Sequence, residues 1–331
     1  MNPPLVWVVG AGGLLGSHVA RRLSESSAAV ALWDGAPSLS WKDREALFGE
    51  IARGAASFAD AIARGSHPSW ALHWAAGAGV VATAVADLRA ETASLEYILE
   101  RLGAELDRAR VAVPGSVFLA SSAGGVYAGT TDSPATESSA VSPLSDYGRE
   151  KLRQEQLCTA WAAGRGASCL VGRIANLYGP GQNLRKAQGL ISYLARNLIL
   201  NQPAHVYVPL DTVRDYLHAD DCARAIAASM AVLSDETKRR GPIQLVKVFA
   251  SEQPASVAVV LGIFSRLARR KPRIIQATRP EAKLQPRCLS FRSEVWPGLA
   301  PARIPLPVGI RQTYEDMLEQ FRRGTLGALA A

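Results

Sequence analysis

The first apolar run of the chain, Leu5 to Val9, shows no alternation of polar and apolar positions, which is the pattern of a strand buried on both faces of a parallel sheet. It passes through a glycine-rich segment, Gly10 to Gly16, into an amphipathic stretch from Ser17 to about Ser24. The order is therefore strand, glycine turn, helix. A second apolar run, Ala29 to Trp33, ends at Asp34. Helical spacing marks Trp41 to about Arg53 and Phe58 to Arg64 as two segments and leaves a third strand poorly marked. Thr83 to Arg110 reads as one long helix, with Val85, Leu88, Leu95, Leu99, Leu102 and Leu106 along its apolar face. Ser145 to Ala163 predicts another. Further on, helices are expected over Lys186–Leu200 and Asp220–Leu233, and strands over His205–Val208 and Ile243–Phe249. Strand and helix alternate through about residue 176, which predicts an α/β fold with a doubly wound parallel sheet. The sheet domain is assigned residues 1–176 and about 211–250; a smaller, interleaved C-terminal lobe takes about 177–210 and 251–331.

The spacing Gly10-x-x-Gly13-x-x-Gly16 between strand and helix has a physical reading. Gly10 permits the tight turn, Gly13 lets the backbone approach a pyrophosphate, and Gly16 allows close helix–strand contact. The start of the helix that follows presents free amides and a positive dipole end to the anion, with Leu14 and Leu15 leading into it beside the cofactor. An acid roughly 20 residues past such glycines, here Asp34, is placed to accept the ribose hydroxyls of NAD and to repel the extra phosphate of NADP. The N-terminal part is thus predicted to be an NAD-binding Rossmann domain.

Tyr147 and Lys151 are four residues apart, just over one helical turn, so their side chains leave a helix on the same face. A free phenol ionises near about pH 10 and is a poor base at neutrality. An ammonium held beside it favours the phenolate. Ser121 and Ser122 lie upstream, and the hydroxyl of either could bond the same substrate oxygen. Such a trio suits removing a proton from an alcohol while hydride leaves the carbon.

Taken together, the glycine motif, the serine pair and Tyr147-x-x-x-Lys151 resemble the extended short-chain dehydrogenase/reductase superfamily, in its nucleotide-sugar epimerase and dehydratase branch. His73 to Gly77, Phe118 to Tyr127, Arg173 to Gln182 and Val213 to Asp221 resemble further motifs of that family, so the likeness covers most of the chain. The resemblance implies that Tyr147 is the general base and acid and that Lys151 also binds the nicotinamide ribose. It places Ala75, Ala76, Gly77 and Ser121 beside the cofactor, and Ser122, Gly124, Asn176 and Arg214 against a sugar nucleotide. Arg279 or Arg292 is a candidate for a second phosphate contact, against the alternative of solvated surface for either. Many relatives carry the catalytic hydroxyl at the position of Ala123; the paired glycines Gly124 and Gly125 select Ser122, with Ser121 as the alternative. Relatives that eliminate or decarboxylate place an acid directly after that hydroxyl, and this chain has none there. No clear counterpart appears of the acid that touches adenine, with Asp60 the one candidate. The reading is an NAD-dependent epimerase acting at C4 of a UDP-hexose through a 4-keto intermediate. The alternatives are a net oxidoreductase of nucleotide sugars or keto-sugars, and a non-catalytic NAD-binding protein of the same fold. Pairing of the two long helices across a twofold axis would make it a homodimer.

Composition narrows the picture further. With 331 residues, 48% hydrophobic and 20% charged, the chain can bury a large core. Its apolar stretches fall well short of the ~20 residues of a membrane span. The first strand begins within a few residues of Met1, so no signal peptide is expected. Four scattered cysteines and five histidines show no metal-ligand spacing, which favours free thiols in the cytoplasm and no metal site. The net charge of +8 invites a nucleic-acid reading, but the densest basic run, Arg266 to Arg273, lacks interleaved aromatics and reads as a solvated helix end. The excess charge would instead draw in a dianionic substrate.

Overall fold

The computed structural model describes residues 3–26, 29–65, 67–182, 189–277 and 286–324. In chain order, β1 (Leu5–Val9) leads into α1 (Leu14–Glu25), β2 (Ala31–Leu32), α2 (Arg44–Gly65), β3 (Trp70–Trp74) and α3 (Val85–Arg108). Next come β4 (Gly115–Ser122), the short α4 (Ala123–Val126), α5 (Asp146–Gly164), β5 (Ser168–Ile174), β6 (Asn176–Tyr178) and α6 (Leu190–Ile199). These are followed by β7 (Ala204–Val206), β8 (Val213–Arg214), β9 (Tyr216–His218), α7 (Ala219–Arg240) and β10 (Gln244–Phe249). The chain closes with β11 (Ala255–Ser256), α8 (Val257–Ala268), β12 (Ile274–Gln276), β13 (Cys288–Leu289) and α9 (Leu306–Arg322).

Among the described residues the central sheet has six strands in the order β10-β5-β4-β3-β1-β2, all pairs parallel. The strand order reverses between β1 and β3, which opens a crevice at their C-terminal ends. One face of the sheet carries α2, α3 and α5 over a core that includes Trp7, Phe58, Leu72, Ile98 and Val117. The other carries α1 and α7 over Val8, Val19, Phe118 and Ile226. A third cluster, with Tyr178, Leu194, Phe264 and Met317, packs α6, α8 and α9 together beyond the sheet. The doubly wound parallel sheet is therefore as read from the sequence.

The segment between β2 and β3 differs from the reading in two separate helical pieces. It is one continuous helix, α2, and it adds no strand to the sheet. The apparent break falls at Gly54, where a Cβ would lie 2.9 Å from Pro37 and 3.0 Å from Trp7. A small residue is needed there because the helix closes tightly on β1, so the run that reads as an interruption is a contact. Without that strand the sheet ends at β2, which is two residues long.

The opposite edge, β10, is longer and is occupied. Glu137, in the loop between α4 and α5, accepts from the Val248 amide (2.7 Å), from Ser293 Oγ (2.7 Å) and from the Glu294 amide (2.7 Å). Lys247 on the same strand is buried and donates to Ser293 Oγ at 2.7 Å.

Candidate functional site

The glycine turn after β1 has no room for side chains at Gly10 and Gly16. Gly10 has φ +90°, and a Cβ on it would lie 2.6 Å from the Ala76 nitrogen. A Cβ on Gly16 would lie 2.1 Å from the Gly10 carbonyl oxygen. Gly13 donates to that same oxygen at 2.9 Å and is the residue from which α1 starts. Leu14 and Leu15 begin the helix, Leu15 with its side chain buried, and the amides of this first turn lack intrahelical partners. Asp34 is exposed in the turn after β2, and Ala75, Ala76 and Gly77 follow β3 directly. These segments stand side by side at the C-terminal ends of adjacent strands. A tight backbone turn that needs glycine at Gly10 and Gly16, at a helix start with an exposed acid beside it, fits a dinucleotide.

Tyr147 and Lys151 lie in the first two turns of α5, whose N-cap Ser145 accepts from the Gly148 amide at 3.2 Å. The close approach of α4 fixes the tyrosine. A Cβ on Gly125 would lie 3.1 Å from Tyr147 Cε1, and one on Gly148 would lie 2.2 Å from the Gly125 carbonyl oxygen. The Lys151 ammonium sits 5.9 Å from the centre of the Tyr147 ring. It is buried and donates to Glu91 Oε1 at 2.9 Å and to Gln154 Oε1 at 3.0 Å. Burial alone pulls Lys151 down, but the Glu91 carboxylate and the Tyr147 oxygen hold it above its ordinary value.

The two serines part company. Ser121 is buried and donates to Glu155 Oε1 at 2.5 Å. Ser122 is half-buried and caps α4, its Oγ accepting from the Gly125 amide at 3.1 Å, which leaves its own proton to give. Beneath them lies a polar network with no sequence signature. Arg173 donates through Nη2 to Glu155 Oε2 at 2.7 Å and through Nη1 to the Tyr127 hydroxyl at 2.6 Å. Burial raises the Tyr127 phenol against the pull of the guanidinium.

On the far side of the cleft, Gly124 faces Asn176 and Leu289: a Cβ on it would lie 3.9 Å from Asn176 Oδ1 and from Leu289 Cδ1. Asn176 is exposed, and its amide donates to the Asp215 carbonyl at 3.1 Å. Arg214 is buried, which lowers it, and Nη1 donates to the Val213 carbonyl at 2.7 Å. The acids close to it in sequence are engaged elsewhere: Asp211 pairs with Arg287, and Asp215 accepts from the Ser251 amide at 2.8 Å. Arg279 falls outside the described residues. Asp60 lies away from the cleft, paired with Arg108 at 2.6 Å where α2 meets α3. Trp41, placed by the sequence pattern at the start of a helix and given no role in the site, lies in the turn before α2. It is 46% exposed and lies edge-on to Trp74, ring centres 6.1 Å apart, at the end of β3. A tryptophan in an otherwise polar stretch was its signal.

The sequence profile of the NAD dependent epimerase/dehydratase family matches residues 6–240. The chain belongs to this family. NAD is the family's cofactor, and the glycine cradle fits it. Over 90 residues the chain is 33% identical to a dTDP-L-rhamnose 4-epimerase of Burkholderia thailandensis, a match spanning 27% of this chain and 25% of that one. It is 28% identical over 278 residues to a UDP-glucose 4-epimerase of Azospirillum brasilense, spanning 78% of this chain and 76% of the relative. The chain thus matches about a quarter of the first relative's length and about three quarters of the second's. The crystal structure of the Thermus thermophilus UDP-glucose 4-epimerase complex with NAD aligns with a TM-score of 0.73 at 20% identity, over 94% of this chain and 98% of that chain, a likeness of fold. Among the described residues no helix is long and apolar enough to cross a membrane.

Two histidines lie in motifs of this epimerase/dehydratase chain. His218 caps α7, accepting from the Asp220 amide at 3.2 Å. His73 is buried against Phe118, ring centres 5.7 Å apart, and burial lowers it to about 4. The folded state therefore keeps His73 neutral at pH values where the unfolded chain protonates it. The stability it contributes is full above its ordinary value of 6.5 and is lost as pH falls toward 4. The expected loss is about 1.4 kcal/mol per pH unit in that window. Urea midpoints at a series of pH values check this: His73→Leu should flatten the slope, and an equal slope in both proteins would sink the assignment.

Proposed function

We propose that the protein is a nucleotide-sugar epimerase that inverts C4 of a UDP-hexose. The observation that carries the reading is the Ser122 turn. Ser122 and Tyr147 flank it, and its following residues, Ala123, Gly124 and Gly125, offer contact surface and no second acid. Elimination needs a second proton-transferring group next to the hydroxyl; inversion at a carbinol needs only one. Tyr147 as phenolate takes the C4 hydroxyl proton, with Lys151 beside it favouring the anion. Ser122 donates to the same oxygen and holds it through both half-reactions. Bound NAD supplies a reversible hydride acceptor. The 4-keto sugar turns over in the cleft, with Gly124, Asn176 and Leu289 on its wall, after which Tyr147 returns the proton. Arg214 suits the diphosphate, since a guanidinium fork matches two phosphate oxygens.

In the same reading, residues 1–176 with about 211–250 bind the cofactor, and the remainder forms the substrate lobe. α3 and α5 pack side by side on one face of the sheet and offer the surface on which a second copy would form a homodimer. The four cysteines are free, which agrees with a reducing cytoplasm. The test is incubation of the protein with a panel of nucleotide sugars in deuterium oxide, followed by chromatography and mass spectrometry. The expected product is the C4 epimer without deuterium on carbon, with NAD copurifying and unchanged. Stoichiometric accumulation of reduced cofactor, loss of water from the sugar, or label beside the carbonyl would each overturn the proposal.

A further inference from the structure

Glu91 is a carboxylate almost out of water, on α3, and it joins three elements at the cofactor cleft. Its Oε1 accepts from Lys151 of α5 at 2.9 Å, and its Oε2 accepts from the amides of Ala78 (2.9 Å) and Gly79 (3.1 Å) in the turn after β3. The turn is wrapped onto this pair. Gly77 has φ +152°, and a Cβ on it would lie 2.9 Å from Glu91 Oε1 and 3.4 Å from Lys151 Nζ. The second acceptor of the ammonium, Gln154, donates to Thr92 Oγ1 at 3.1 Å, and Thr92 donates to Glu150 Oε2 at 2.8 Å. An ammonium has three donors, and these contacts direct two of them, leaving one for a ligand or the phenol.

Burial favours the uncharged form of both partners, and each holds the other charged. Burial would raise Glu91, but the Lys151 ammonium and the two amides keep it below its ordinary value. Without Glu91, burial would pull Lys151 toward the neutral amine, which cannot favour a phenolate. The same turn lies between Glu91 and the tyrosine: a side chain starting on Gly79 would lie 3.5 Å from Glu91 Oε2 and 3.5 Å from Tyr147 Cδ2. The other ionisable groups facing Lys151 are Tyr147, Glu150 (through Thr92 and Gln154) and Glu155 on its own helix, with Arg173 of β5 behind Glu155. The 77–79 turn contributes amides.

We propose that Glu91 is a positioning residue for the reaction: it fixes the Lys151 ammonium to the cofactor-side turn, supplies its counter-charge, and so sets the pH range in which Tyr147 works. The proposal rests on the reading of Tyr147 and Lys151 as the proton-transfer pair. The decisive variant is Glu91→Gln, which keeps the shape and an acceptor for the amides and removes the charge; Glu91→Asp keeps the charge on a shorter arm.

The first readout needs no turnover. Pulses of acetic anhydride across a pH series, with peptide mass spectrometry, report where Lys151 becomes a free amine. In Glu91→Gln that point should fall by about one pH unit or more, while Glu91→Asp stays near the parent. In the second readout, kcat against pH with the active nucleotide sugar, both limbs should move to lower pH in Glu91→Gln, because removing a negative charge lowers every nearby ionisation. KM should change little and Glu91→Asp should restore the profile. Unchanged Lys151 labelling together with an unmoved profile would overturn the proposal, leaving Glu91 a purely structural acid. If no sugar is turned over but the labelling shift appears, the epimerase reading fails and the control of Lys151 by Glu91 stands.

Discussion

Tyr147→Phe is expected to lower turnover of the nucleotide sugar by a factor on the order of a thousand, within the range that general acid–base groups contribute. The variant should keep its fold and its hold on NAD. The tyrosine ring is located by Gly125, 3.1 Å from where a Cβ there would begin, and phenylalanine keeps that ring. What disappears is the oxygen that, in the proposed mechanism, shuttles the proton. Lys151 and Ser122 remain, so substrate still binds and KM should change far less than kcat. Steady-state rates alongside calorimetric titration with NAD separate the two effects. Activity within tenfold of the parent would remove Tyr147 from the proton transfer.

The second large effect lies beneath the site. Glu155 and Arg173 are 4% and 7% exposed, and Tyr127 and Ser121 complete their hydrogen bonding. Glu155→Leu would leave a guanidinium buried without a counter-charge, and the expected cost is about 3–5 kcal/mol. Replacing both partners, as Glu155→Leu with Arg173→Met, should recover much of that loss, because neither charge is then stranded. Urea unfolding of the single and double variants checks both statements. A double variant as unstable as the sum of its singles would show that the pair acts through something other than charge. Since Ser121 of this network precedes Ser122, the single variant should also impair catalysis.

The dinucleotide end was legible because its signals are local. Glycines at Gly10, Gly13 and Gly16 are demanded by backbone contacts of 3.3 Å and less, and the apolar runs need no partner to be recognised. The long helix α3 came close to its read bounds for the same reason, its leucines recurring at helical spacing. α7 ran beyond its expected end at Leu233. Its last turns are polar and are supported by Lys238–Asp235, Arg239–Glu236 and Arg240–Glu236 pairs until Gly241, at φ +83°, ends them. An apolar period says nothing about such turns. The site shows the same division. Tyr147 and Lys151 share a face by spacing alone, whereas Glu91 and Glu155 look like solvated helix acids until tertiary packing brings α3 and β5 against α5. The paired glycines select Ser122 over Ser121, but spacing says nothing of the Glu155 contact that holds Ser121; neighbours on a strand point to opposite sides, so that contact depends on which side Glu155 occupies.

Both borders of the sheet bear on how this chain meets other chains. A parallel sheet with bare edges is a template on which a foreign strand can add, the first step of many aggregates. Here one border is two residues long, and the other has its Val248 amide plugged by Glu137 and a lysine turned inward beneath it. The loop between α4 and α5 is thus the guard of the sheet. Strand addition is hindered at both borders, which leaves helical surfaces as the ground for specific, finite contacts.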